Sequence, residues 1–214
     1  MLNNNDCKQR QSIKEVVKMK NILICMVFVL VAFFATNVWA ASSQTVNVNA
    51  IIPTVSGGLT VTVSKVIGTT FTGDTAINFG TLALDPVNNI FTPADGRYYA
   101  VDVGVRDNTG TVWTVTHTRT SFKKDATNNL DSNVNVSFVK QVSSTVGVVD
   151  KYLSFNNSNN IAYTKTQLGS GWLRIYYGLG TGNTTTPDAS GVTPIGFNKP
   201  AGTYTGSITI TLTP

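Results

Sequence analysis

Apolar and polar residues alternate along this chain from Val46 almost to its last residue, and that rhythm constrains the fold more than anything else in the sequence. Val46, Val48, Ala50 and Ile52 alternate with Asn47 and Asn49. Leu59, Val61 and Val63 are interleaved with Thr60, Thr62 and Ser64. The pattern returns at Val101–Arg106, Trp113–His117, Val134–Phe138, Trp172–Tyr177 and Ser207–Leu212. A period of two places one set of side chains on a core face and the other toward water, as antiparallel sheets require. Nothing competes with this reading after residue 40. No window there sustains apolar residues at helical spacing, and the only glutamate of the chain is Glu15. Val and Thr, which favour half-buried strands, crowd the same region. Turn residues separate the runs: Ser56-Gly57-Gly58, Gly73-Asp74, Asp95-Gly96, Asp107–Gly110, Asn128-Asn129 and Gly169-Ser170-Gly171. Gly and Asn accept the positive φ angles of tight hairpins. The expectation is an all-β domain with at most one short helical turn, built as an immunoglobulin-like two-sheet antiparallel β-sandwich. Asn156–Asn160 and Gly178–Pro194 read as surface loops.

The first forty residues follow other rules. Met19–Ala40 reads as an export signal. Lys20 opens it, Ile22–Phe34 is apolar apart from Cys25, and Val38-Trp39-Ala40 offers the small residues of a cleavage site. The apolar run is too short for a membrane span. The expectation is a start at Met19, cleavage after Ala40, and one domain over 41–214, with the membrane met only during export. Ile24 stands before Cys25, where a lipid-anchored leader needs a small residue. Cys7 and Cys25 leave with the leader, so the exported chain cannot form a disulfide, and its fold rests on buried area and backbone pairing. Lys8, Arg10, Lys14, Lys18, Lys20, Asp6 and Glu15 leave as well. Eleven basic and nine acidic residues remain, a net charge of +2. No polybasic surface survives, and no nucleic-acid partner is expected.

Chemistry-bearing constellations are sparse. His117 is the single histidine; alone it builds neither a zinc site nor a triad, and its parity with Trp113 and Val115 predicts a buried or rim position. Nine scattered aspartates fall mostly in turns, where their carboxylates bond to backbone N–H groups. Asp131–Asn135 superficially resembles a calcium loop but carries Val136 where the turn needs glycine and Val142 where it needs an acid. The sequence leads to no expected catalytic residue, metal ligand or cofactor, and the chain reads as a non-enzyme. Trp172 and Tyr176 share one face of a run that is apolar on both faces. The expectation is that this face is core; the other reading is an aromatic surface that stacks a sugar or a partner.

Three segments resemble the spore coat U and archaic chaperone–usher pilin group. One is the alternating start Gln44–Ala50. The second is Asn78-Phe79-Gly80-Thr81-Leu82. The third is the ending, in which Pro200-Ala201-Gly202-Thr203-Tyr204 precedes the alternating Ser207–Leu212. The resemblance implies an incomplete sandwich that lacks its last strand and accepts a neighbour's N-terminal extension. It implies a donor strand over 42–52 with Val46, Val48, Ala50 and Ile52 as knobs, and a groove bordered by Ile208, Ile210 and Leu212. It implies a secreted, pilin-like or coat-like structural subunit at the cell surface, passing through the periplasm. Its partners would be copies of itself or related subunits, and a periplasmic chaperone. The alternative from another class is a self-contained secreted sandwich that binds carbohydrate or cell wall through Tyr98, Tyr99, Trp172 and Tyr176.

Overall fold

The computed structural model describes residues 42–47, 58–105, 112–141, 147–169 and 172–213. All of them fall within one compact unit, residues 40–214. About half of the described residues lie in β-strands, and every strand pair is antiparallel. In chain order the strands are β1 (Ser42–Asn47), β2 (Leu59–Ile67), β3 (Thr70–Asp74), β4 (Leu82–Asp85), β5 (Ile90–Pro93) and β6 (Tyr98–Val105). They continue with β7 (Thr114–Arg119), β8 (Val134–Gln141), β9 (Gly147–Ser154), β10 (Ile161–Thr164), β11 (Trp172–Leu179) and β12 (Ser207–Thr213). One sheet has the order β1-β12-β7-β10, and a second runs β3-β2-β6-β11-β8-β9; β4 and β5 form a separate hairpin.

Each long run behaves as its alternation demands. Leu59, Val61 and Val63 are buried on β2; Tyr99, Val101 and Val103 on β6; Leu173, Ile175 and Tyr177 on β11; and Ile208, Ile210 and Leu212 on β12. Side chains from the two sheets meet directly. The His117 ring of β7 packs edge-on against Phe138 of β8 at 5.2 Å between centroids, and Phe138 lies 6.1 Å from Tyr163 of β10. The core is therefore an apolar layer between two sheets, with aromatic rings supplying much of its area.

Helical structure is slight, though more than one turn. Two three-residue 3-10 turns occur, Asp131–Asn133 and Phe155–Asn157, and one four-residue helix, α1 (Lys165–Leu168). The sequence of α1 explains its start. Thr164 Oγ1 accepts from the Gln167 backbone, and the Gln167 side chain accepts from the Thr164 N–H, a reciprocal cap.

Polar groups hold the ends of the sheets. Arg119, the last residue of β7, pairs with Asp131 at 2.9 Å, with both side chains only 11% exposed. The Asp131 carboxylate also accepts from the Phe122 N–H at 2.7 Å, and Arg119 donates to the Asn156 carbonyl at 2.7 Å. Asp131 thus accepts from both a side-chain and a backbone donor of the protein. Asp188 fastens the long segment after β11 by accepting from the N–H groups of Thr181 and Gly182 and from the Asn135 side chain.

Some expected boundaries move. Gly73-Asp74 lies inside β3, and the hairpin turn before it uses Gly68 at φ +60°. Gly178 and Leu179 close β11 instead of opening a loop, and Ser158, expected on the surface, is fully buried.

Candidate functional site

The chain's first and last strands meet. β1 pairs antiparallel with β12 over six positions, from Ser42 opposite Leu212 to Asn47 opposite Ser207. The expected acceptor residues Ile208, Ile210 and Leu212 are buried, and β12 is held on its other side by β7. Val46 stands opposite Ile208, whereas Gln44 and Ser42 stand opposite Ile210 and Leu212. Val48, Ala50 and Ile52, the remaining expected knobs, lie outside the described residues. Among the described residues β1 pairs with β12 alone, so it is a sheet edge held by backbone bonds on one side. The segment expected to reach into a neighbour therefore occupies the acceptor edge of its own chain.

A second feature lies on the outer face of the six-stranded sheet. Leu173, Ile175 and Tyr177 fill the core, so Trp172, Arg174 and Tyr176 point outward. This corrects the expectation that the Trp172/Tyr176 face is core. The deciding partner is β6, whose outward positions are Ala100, Asp102 and Gly104, too small or too polar to form a core face. Trp172 is 37% exposed and lies over Gly104, where a β-carbon would sit 2.9 Å from the indole. Only a residue without a side chain lets the ring lie this close to the strand. Arg174 grips Asp102 with two bonds, 2.6 and 2.8 Å, which raise the affinity of its guanidinium for the proton still further. Its guanidinium stacks 4.8 Å from the Phe71 ring and 5.9 Å from Tyr176, and Tyr176 lies 5.9 Å from Tyr98. Tyr99, grouped with these aromatics on sequence, is instead fully buried and donates to the Asn78 carbonyl at 2.7 Å.

His117 sits on β7 as its parity foretells, 1% exposed. The Ser158 carbonyl, 2.7 Å from Nδ1, can only accept, so Nδ1 carries the proton. Nε2 then accepts from the Tyr177 hydroxyl at 2.9 Å. Burial, helped by the nearby Arg119 charge, lowers the histidine's pKa to about 4 and keeps it neutral. Both ring nitrogens are used within the core. A cavity of about 420 Å³ includes Phe79, Phe91, Phe122, Leu130, Leu179 and Ile195 in its lining. Of its two ionisable side chains, Lys199 donates to the Asn129 carbonyl and Tyr204 to the Pro200 carbonyl. Comparison with family models, curated proteins and solved structures finds no match to this chain.

Sequence reasoning missed Gly104, Asp102 and Phe71 as members of the outer row. The alternation of Asp102 and Gly104 with Val101 and Val103 marked their face as outward, but the register that sets them beside Trp172 and Arg174 is not written in either strand alone.

Proposed function

We propose that this chain is a secreted, non-enzymatic structural subunit of a cell surface, an immunoglobulin-like sandwich that assembles by exchanging its N-terminal strand between copies. What supports this reading is that β12 offers an edge that takes the Ser42–Asn47 strand in antiparallel register; the strand there is the chain's own, so exchange requires it to leave. β1 is an edge strand joined to the rest of the domain by the segment 48–58, and it covers a strand whose inward residues are all large and apolar. Backbone bonds of this kind are indifferent to which copy supplies the strand. A chain alone can close on itself, and a chain among copies can pass its strand forward. The exposed strand edge left behind is the force that drives each next addition. A periplasmic chaperone would cover that edge before assembly. The likeness of Gln44–Ala50 and Pro200–Leu212 to the spore coat U and pilin group supports the same reading.

Removing residues 41–50 tests it. The full chain is expected to give a ladder of oligomers that survives mild denaturant and collapses to monomer on heating, and the shortened chain to give none. Monomers alone from both chains at every concentration would contradict it.

A further inference from the structure

The outer face of the six-stranded sheet carries two parallel tracks. Three rungs cross β11, β6 and β2 in register: Trp172–Gly104–Thr60, Arg174–Asp102–Thr62 and Tyr176–Ala100–Ser64. On the β11 side each rung presents a ring or a planar guanidinium; on the β2 side each presents a hydroxyl. Over the middle strand the Trp172 ring lies against Gly104, and the Arg174–Asp102 pair stands between the tracks at the second rung. Trp172 and Tyr176, four residues apart on one strand, are spaced by roughly 13 Å.

From this arrangement we propose that the face is a binding platform for a neutral glycan of flat hexopyranose rings. This deepens the alternative reading drawn from the sequence and does not depend on strand exchange, because β1 belongs to the other sheet. Three properties select the ligand. Flat aromatic surfaces beside a row of hydroxyls complement a ring that is apolar on its C–H faces and rich in hydroxyls at its edge. The one cation of the rungs, Arg174, is neutralised by a two-bond grip on Asp102, so charge complementarity points to an uncharged ligand rather than to a phosphate or an anionic surface. None of the rung residues lines the cavity of about 420 Å³, whereas protein partners place their anchors in pockets.

The test is retention of the purified full chain on microcrystalline cellulose and on chitin, with tryptophan fluorescence during titration with the soluble hexasaccharides of each. With Trp39 changed to phenylalanine and Trp113 buried, an emission change at the surface reports Trp172. Binding to at least one of the two polymers is expected, unaffected by added salt. Trp172→Ala is expected to weaken it by about tenfold or more. Thr62→Arg, at an exposed position, is expected to weaken it without touching a ring, and decides the matter if Trp172→Ala does not fold. Failure of the native chain to bind either polymer or either hexasaccharide, or unchanged binding by the folded variants, would overturn the proposal. The oligomer ladder reports strand exchange separately and is unmoved by either result.

Discussion

Changing Asp131 to alanine is expected to destabilise the domain by about 3–5 kcal/mol, the range found when one partner of a buried ion pair is removed. The loss is larger than a surface pair would give because two groups are stranded together. Arg119 keeps its charge in a site where its side chain is only 11% exposed, and the Phe122 N–H loses its acceptor. Arg119 also stacks 4.8 Å above Phe155, so its rearrangement disturbs the turn that holds Ser158, the acceptor for His117. Asp131→Asn should cost less, since the amide oxygen can still accept from Phe122. Urea unfolding followed by circular dichroism reads both differences. A loss below about 1 kcal/mol for the alanine variant would show that the pair is solvated in practice.

The second large effect is a pH dependence. His117 is neutral in the folded state, with a pKa of about 4 against 6.5 for the free side chain. The unfolded chain therefore binds a proton that the folded chain refuses. Stability from this residue is complete above pH 6.5 and is lost progressively as pH falls toward 4, by about 3 kcal/mol in all. Several aspartates are held below their usual range by hydrogen bonds, Asp125 by Asn128 and Thr127 and Asp150 by Lys140. Those contributions fade only at more acid pH, so the window between 6.5 and 4 belongs to the histidine. Thermal melts across that window should show a falling midpoint, and His117→Leu should flatten the slope. The same variant should be less stable at neutral pH, because the Ser158 carbonyl and the Tyr177 hydroxyl lose their buried partner, at roughly 1–3 kcal/mol each. A wild-type stability that stays level from pH 7 to 4 would contradict the assignment.

Six of the seven alternating runs correspond to β2, β6, β7, β8, β11 and β12, which are strands with one buried face; the first run meets β1 only at Val46 and Asn47, and the rest of it lies outside the described residues. The strands that escaped notice are those whose alternation physics does not enforce. All but the last residue of β3 are exposed, and β3 has another strand on one side only, so Gly73-Asp74 could sit in it without a packing penalty. β9 is a sheet edge with Val148 and Val149 both exposed, and a bulge opposite Phe138 and Val139 breaks its period. β4, β5 and β10 have four residues each, too few to display a rhythm. The outer row was legible only in part for a different reason. Trp172 and Tyr176 were visible, but Leu173, Ile175 and Tyr177 made the strand apolar on both faces. The tie is broken by Asp102 and Gly104 on the neighbouring strand, and neighbour relations across 70 residues of chain are a property of register. The acceptor residues Ile208, Ile210 and Leu212 were legible because they alternate with Ser207, Thr209 and Thr211; that their partner is the chain's own Ser42–Asn47 was not.

Disulfide trapping across that pairing reads the central claim most directly. Thr45 stands opposite Thr209, and the chain's only native cysteines, Cys7 and Cys25, can be changed to serine. With Thr45→Cys and Thr209→Cys in the same chain, mild oxidation at rising protein concentration should give covalent dimers, trimers and longer ladders on non-reducing gels. Each link would join position 45 of one copy to 209 of the next, as peptide mapping would show. Oxidation that yields only internally bridged monomers, at every concentration, would mean the first strand never leaves its own domain.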